Sequence, residues 1–156
     1  MVLQILLVLL VALAAFVGYA STKPDTFRYA RSRVIKAQPA VVFNQINNLA
    51  NWNAWSPWAR LDPNAKYTME GPVEGKGAKT SWDGNKNVGR GSMAITDSRA
   101  PEYVAFRLDF DAPMKGTSNA EFILKPVAEG THVEWVMSGA NPLIGKIMSI
   151  VMNCEK

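Results

Sequence analysis

The sequence predicts an α+β domain, in which an antiparallel sheet of about seven strands combines with two short helices and a C-terminal helix, behind an N-terminal transmembrane helix. The chain begins with a long uncharged apolar run, and most of the rest alternates apolar and polar residues in short segments. The connections between these segments are short, which favours antiparallel neighbours. With 156 residues, 48% of them hydrophobic and 19% charged, the composition indicates one globular domain plus an apolar segment.

The apolar run Val2–Ala20 contains no charged side chain. As a helix it would reach roughly 28 Å, close to the ~30 Å core of a bilayer. A cleaved signal peptide is the alternative, because Gly18-Tyr19-Ala20 before Ser21 has the small-x-small form of a cleavage site. The length of the run and the lack of Lys or Arg before it favour a retained single-pass anchor over residues 1–20, which contacts the membrane through residues 2–20.

Residues 21–26 read as a linker and residues 27–156 as the folded domain. Basic residues are frequent directly after the anchor: Lys23, Arg28, Arg31, Arg33 and Lys36. The positive-inside rule therefore favours a cytoplasmic domain, with a periplasmic domain as the alternative.

The domain begins with a predicted strand at Phe27–Ile35, where the residues alternate. Pro39 suits the first position of the next element, a short helix whose apolar stripe includes Phe43 and Ile46. A second short helix follows through Trp52 and Trp55, which share a face at a spacing of three residues. Pro57 is expected to end this helix and to place Trp58 on an extended segment.

Six further strands are predicted from the alternation and the turn-forming pieces between them: Lys66–Glu70, Ala78–Asp83, Gly91–Asp97, Tyr103–Phe110, Thr117–Lys125 and Thr131–Ser138. The last element is a helix that begins with Asn141 as N-cap and Pro142 at the first helical position.

Three stretches of this chain resemble segments of the START-like superfamily with its helix-grip fold, which includes the birch-pollen allergen and the bacterial polyketide cyclase/dehydrase family. "AQPAVVFNQINNLANWNAWSPW" is similar to the opening hydrophobic and tryptophan-rich helices. "GKGAKTSWDGNKNVGRGSMAI" resembles the central hairpin, and "GTHVEWVMSG" the last strand. The chain thus looks like a membrane-anchored bacterial member, and since the family's C-terminal helix is usually longer, Lys156 looks like a truncated terminus.

The resemblance implies a curved antiparallel sheet that grips the C-terminal helix around an apolar cavity, with the short helices at one end. From the apolar faces we expect a cavity of about 300–1,000 Å³, the size class that holds small ligands. Eight side chains are candidates for its ligand-binding wall: Trp55, Trp58, Trp82, Met93, Phe106, Phe110, Phe122 and Trp135.

The function that this interpretation favours is membrane-tethered binding of a small hydrophobic molecule, such as a lipid, an isoprenoid or a polyketide-like compound. A cyclase or dehydratase acting on such a molecule is one alternative, and a ligand-free interaction module is another. No catalytic residue is assigned, because the apolar alternation places no strong acid or base in the cavity.

No cofactor or metal is expected, since His132 and Cys154 are the only residues of their types. His132 alternates out of phase with its apolar neighbours and is expected on the solvent face. Asp109 and Asp111 are interpreted as loop-capping residues, and the Gly89-Arg90-Gly91 stretch as a β-bulge or tight hairpin. The net charge of +4 comes from interspersed signs, so no nucleic-acid partner is expected.

Overall fold

The structure, a computed structural model, describes residues 1–152 and the side chains of residues 1–150. Cys154 and Lys156 lie outside the described residues. The chain divides into two compact units, one made of Met1–Phe27 with the residues from Ala140 on, and the other of Arg28–Gly139.

The elements follow the predicted order and confirm the α+β fold. The helices are α1 (Val2–Ser21), α2 (Pro39–Asn47), α3 (Trp52–Trp55), α4 (Pro57–Leu61) and α5 (Leu143–Met152). The strands are β1 (Thr26–Ile35), β2 (Lys66–Glu70), β3 (Lys79–Asp83), β4 (Arg90–Arg99), β5 (Tyr103–Ala112), β6 (Gly116–Val127) and β7 (Gly130–Ala140). Most strand ends lie within two residues of their predicted positions, a difference usual for element boundaries.

The first unit contains α1 and α5, which contact each other. Nζ of Lys146 on α5 lies 2.6 Å from Oδ1 of Asp25 and donates at 3.4 Å to the backbone oxygen of Ser21. The hydrogen bond and the charge of Lys146 hold the pKa of Asp25 below its ordinary value. This ion pair ties the segment after α1 to the C-terminal helix.

The seven strands form one open sheet in the order β1-β7-β6-β5-β4-β3-β2. The neighbouring pairs from β2 to β7 are antiparallel, as the short connections predict. Register shifts interrupt the β4–β5 ladder between Arg90 and Gly91 and between Ile95 and Asp97. The first shift lies within the Gly89-Arg90-Gly91 stretch, where a β-bulge or tight hairpin is predicted.

The core of the second unit lies between the inner face of the sheet and α2. Val42, Phe43 and Ile46 of α2 are buried, together with Phe106 and Leu124 of the sheet. These helix residues follow the predicted spacing, so the amphipathic stripe positions α2 on the sheet.

The prediction for Pro57 is half right: α3 ends at Trp55, directly before Ser56 and Pro57, but Trp58 does not lie on an extended segment. Ser56 has the extended backbone usual before proline (φ −65°, ψ 130°), but Pro57 then begins the new helix α4 at its first position. Proline is compatible with the first turn because its missing N–H has no intrahelical acceptor there. Trp58 is therefore carried on a helix and not on an extended segment.

The prediction that Asp109 and Asp111 cap a loop is wrong, since both lie within β5. Arg107 Nε donates to the Asp109 carboxylate at 3.0 Å, and the Thr117 hydroxyl donates to it at 2.7 Å. The hydrogen bonds from Arg107 and Thr117 hold the pKa of Asp109 below its ordinary value. The Asp109 carboxylate therefore forms an ion pair with Arg107 within the strand.

Candidate functional site

A cavity of about 140 Å³ opens in the Arg28–Gly139 unit. Its walls come from the short helices and from the inner face of six strands, and the lining residues are Leu49, Trp52, Asn53, Trp58, Tyr67, Met69, Thr80, Trp82, Val88, Met93, Leu108, Phe110, Ala120, Trp135 and Met137. The volume is smaller than the expected 300–1,000 Å³. Large side chains account for the difference, because the Trp52, Phe106 and Phe122 rings pack edge to face and fill one end of the space.

The tryptophan-rich stretch divides into side chains with different roles. Trp52 lines the cavity, and its Nε1 donates to the backbone oxygen of Ile46 at 2.8 Å. Trp55 packs against Trp52 with ring centroids 4.7 Å apart, donates to the backbone oxygen of Gln45 and is 36% exposed. Trp58 is 51% exposed and lines the cavity. The stretch thus supplies one anchored wall residue, one outer residue and one residue at the surface end of the cavity.

Strands β2 and β3 form the opposite wall. Tyr67 and Met69 alternate along β2, and Thr80 and Trp82 alternate along β3, so all four face the same side of the sheet. Met69 is 49% exposed. Because Met69 and Trp58 both line the cavity and both reach solvent, the cavity opens to the surface beside them.

Five of the eight candidate residues line the cavity: Trp58, Trp82, Met93, Phe110 and Trp135. Trp55, Phe106 and Phe122 are absent from its wall within the described part of the chain. Phe106 is 1% exposed and belongs to the core behind the wall, while Trp55 lies on the outer side of Trp52.

Several wall residues are absent from the eight sequence-based candidates, among them Tyr67, Thr80 and Met137. Tyr67 and Met69 alternate with polar residues along β2 as the apolar residues of the other strands do, so their shared face is predictable from the sequence. Met137 follows Trp135 by two residues on β7, so alternation places both side chains on one face of the sheet. Thr80 is polar, so hydrophobicity does not predict it as a wall residue. Only its position two residues before Trp82 places it on the same face of β3.

All of the lining residues are uncharged, and Asn53, Tyr67 and Thr80 add amide or hydroxyl groups. Burial raises the pKa of Tyr67, and the nearby negative charge of Asp62 raises it further. Thr80 is 6% exposed, and its Oγ1 has no hydrogen-bond partner among the described residues.

Outside the cavity, the Tyr103 hydroxyl on β5 donates to the carboxylate of Glu121 on β6. This hydrogen bond is the main cause that raises the pKa of Tyr103 to about 12. His132 is half-buried on β7, on the face opposite Val133. Within residues 1–152, His, Cys, Asp and Glu side chains form no group of three or more that could hold a metal ion.

A family model described as "Polyketide cyclase / dehydrase and lipid transport" matches residues 26–152. The comparison with curated proteins gave no match. Helix α1 is the described helix that is long and apolar enough to cross a membrane, and an N-terminal signal sequence would have the same properties.

Solved structures share the fold at low identity. A protein from Arthrobacter aurescens is 19% identical with a TM-score of 0.59, over 82% of this chain and 77% of that chain. A protein from Chromobacterium violaceum is 17% identical with a TM-score of 0.57, over 85% and 92%. Ara h 8.0201 is 7% identical with a TM-score of 0.56, over 82% and 91%. These similarities show the START-like, helix-grip fold predicted from the sequence.

Proposed function

We propose that this chain, which belongs to the polyketide cyclase/dehydrase and lipid transport family, uses the cavity beside Trp58 and Trp82 to bind a small hydrophobic molecule. The observation that carries the proposal is the chemistry of the wall. Tryptophan, phenylalanine, methionine and leucine side chains provide most of it, and the lining residues are uncharged. A mostly apolar cavity with a few polar groups is the usual form of a small-molecule site.

Tyr67, the titratable side chain among the lining residues, favours a binding function over a catalytic one that needs a general base. Tyr67 has a raised pKa, so its phenol stays protonated at neutral pH. It can donate a hydrogen bond, but it is unavailable as a general base and is a weaker general acid than an ordinary tyrosine. A cyclase or dehydratase would need a group of suitable pKa at the reacting atom. The wall therefore supports a binding function first.

The membrane tether is a second part of the proposal. Residues 1–20 would form a retained anchor, residues 21–26 a linker and residues 27–156 the binding domain, on the cytoplasmic side of the membrane. The length and apolar character of α1 support the anchor, and the basic residues that follow it support the orientation. A tether would hold the cavity close to a bilayer in which hydrophobic ligands concentrate.

Methionine NMR tests the binding function. Met69, Met93 and Met137 line the cavity, so an aromatic ligand should shift their labelled methyl signals through its ring current. With the full chain in amphipol, we expect p-xylene to bind with a dissociation constant below about 1 mM, a binding free energy more favourable than about −4 kcal/mol. If p-xylene produces no saturable shift, the binding function is wrong.

A cavity-filling variant locates the site. Ala120 is buried and lines the cavity, so Ala120→Leu adds apolar volume where the ligand would lie. We expect this variant to weaken p-xylene binding at least tenfold. Ala94→Leu is the matched control, because Ala94 follows Met93 on β4 and its side chain points to the opposite face of the sheet. Equal binding by the two variants would place the ligand elsewhere.

A further inference from the structure

The cavity wall includes a buried polar atom that has no hydrogen-bond partner among the described residues, the Thr80 hydroxyl. Thr80 is only 6% exposed, and its Oγ1 makes no hydrogen bond to any described residue. Thr80 lies on β3, and its register partners on the two neighbouring strands are Met69 on β2 and Met93 on β4. A thioether is a weak acceptor and not a donor, so neither neighbour replaces the missing partner.

An unpaired buried hydroxyl is costly, and proteins rarely keep one without a reason. The same strand position would be filled at lower cost by valine, which has the shape of threonine without the hydroxyl. Since Thr80 lines a cavity that is otherwise mostly apolar, a ligand in that cavity is the nearest source of a hydrogen bond.

The cavity volume limits the size of that ligand. An apolar cavity of about 150 Å³ holds one benzene-sized molecule, and this cavity measures about 140 Å³. The enclosed part of a ligand is therefore about one ring, or an alkyl segment of similar volume. Longer substituents would leave through the opening beside Trp58 and Met69.

We propose that the ligand is a single-ring apolar molecule carrying a hydroxyl or carbonyl oxygen, and that this oxygen forms a hydrogen bond with Thr80 Oγ1. The threonine hydroxyl both donates and accepts, so it suits either oxygen. Trp82, Phe110 and Trp135 contact the ring, and Thr80 fixes its orientation. This inference rests on the proposed binding function and adds the chemical class of the ligand.

The test compares two probes of the same shape, p-cresol and p-xylene, which differ by a hydroxyl in place of a methyl group. Their dissociation constants are measured by the methionine NMR titration on the full chain, wild type and Thr80→Val. The ratio of the two constants is compared between the proteins, so that partitioning of the probes into the amphipol cancels. We expect Thr80→Val to shift this ratio against p-cresol by about threefold to tenfold, the usual range for one hydrogen bond.

Three further variants distinguish the effect of the Thr80 hydroxyl from effects of side-chain shape and of stability. Thr80→Ser keeps the hydroxyl and should keep the wild-type ratio, and Thr80→Ala removes it if the valine variant does not fold. Thr131→Val is the matched control for stability, because Thr131 is fully buried and its hydroxyl donates to the backbone oxygen of Ala37 at 2.7 Å. Without ligand, Thr131→Val should lower the unfolding midpoint, whereas Thr80→Val should leave it unchanged or raise it.

The outcomes are distinct for the two proposals. If neither probe binds to the wild type, the binding function itself is wrong. If p-xylene binds and the ratio is the same in wild type and in the variants that lack the hydroxyl, the hydrophobic site stands and the Thr80 contact is wrong. The same conclusion follows if Thr80→Val destabilises the ligand-free protein as much as Thr131→Val does, since the hydroxyl would then have a partner without ligand.

Discussion

The Trp82 indole lies directly over Gly91, its register partner on the neighbouring strand. A Cβ added to Gly91 would be 2.8 Å from Cζ2 of Trp82 and 2.5 Å from the backbone oxygen of Asp109. Real Cβ atoms do not approach other atoms this closely, so the glycine sets the position of the indole. Trp82 also packs edge to face on Phe110, with ring centroids 6.0 Å apart, and both rings line the cavity.

Gly91→Ala should therefore destabilise the domain and displace the Trp82 ring. Overpacking of this kind costs about 1–3 kcal/mol, measured as the change in the free energy of unfolding in urea. The Trp82 indole N–H signal should shift in NMR spectra of the variant.

Gly116→Ala is the control for this change, because a Cβ at Gly116 would meet no atom within 4 Å. We expect it to alter the unfolding free energy by less than about 0.5 kcal/mol, as is usual at surface positions. Equal stability of the two variants would show that the Trp82 ring is not held by the glycine.

The Tyr103–Glu121 pair should control the titration of one phenol on the outer face of the sheet. Glu121→Gln removes the carboxylate that accepts the Tyr103 hydrogen bond, so the pKa of Tyr103 should fall from about 12 toward the ordinary value near 10.0. Carbon-13 labelled tyrosine NMR measures this pKa directly. Glu134→Gln, on the neighbouring strand β7, should leave it at about 12.

The same pair should give a pH dependence of stability. Because the folded pKa of Tyr103 lies above the unfolded value, the pair stabilises the folded state fully below about pH 10. This contribution is lost as the pH rises from about 10 through 12. The difference in unfolding free energy between wild type and Glu121→Gln should therefore shrink over that range, and a difference that stays constant would contradict the prediction.

The Arg107–Asp109 pair should affect the stability of the domain at acid pH. Arg107→Gln should raise the pKa of Asp109 toward its ordinary value of 3.8, because it removes the hydrogen bond and charge that lower it. In wild type the pair stabilises the fold above about pH 4 and loses this contribution as the pH falls through the lower folded pKa.

The energetic effect of Arg107→Gln should be small. The two side chains are 57% and 42% exposed, so solvent screening limits the change in unfolding free energy at neutral pH to about 1 kcal/mol or less. NMR titration of the aspartate carboxyl carbons gives the pKa, and urea unfolding the stability. An unchanged Asp109 pKa in the variant would contradict the assignment of the pair.

Alternation along the strands predicted much of the sheet, but it did not separate the core from the cavity. Phe106 and Phe110 lie on the same face of β5, four residues apart, and have the same sequence signal. The position of Trp52 on the sheet decides that Phe106 is covered while Phe110 reaches the cavity. Such a difference depends on how α3 packs along the strand, and a period of two carries no information about it.

The helical segment around the tryptophans shows a similar limit. The spacing correctly placed Trp52 and Trp55 on one short helix, but it could not show which of them faces the sheet. A 3-10 turn at Leu49–Asn51 sets that rotation. Proline is compatible with both the end of one helix and the start of the next. The structure has both at Pro57, since α3 ends at Trp55 and α4 begins at Pro57, and the sequence predicted only the first.

The anchor proposal predicts that the mature protein keeps Val2–Ala20. Intact mass spectrometry of the protein purified from membranes measures this directly, and we expect a mass that includes the whole apolar run. A mature N-terminus at Ser21 would instead identify α1 as a signal sequence, and the domain would then lie outside the cytoplasm.

Trp58 and Trp55 should respond differently to truncation, although they are three residues apart and both exposed. Trp58 lines the cavity at its surface end, whereas Trp55 packs on the outer side of Trp52. Trp58→Ala should therefore weaken p-xylene binding about threefold to tenfold in the methionine NMR titration, because it removes apolar contact from the ligand.

Trp55→Ala is the matched control, and it should leave the p-xylene affinity within about twofold of wild type. It should instead lower stability, because the indole N–H donates to the backbone oxygen of Gln45 and the ring packs on Trp52. If Trp55→Ala weakened binding and Trp58→Ala did not, the ligand would contact the outer side of the short helices, and the cavity between Trp58 and Trp82 would not be the binding site.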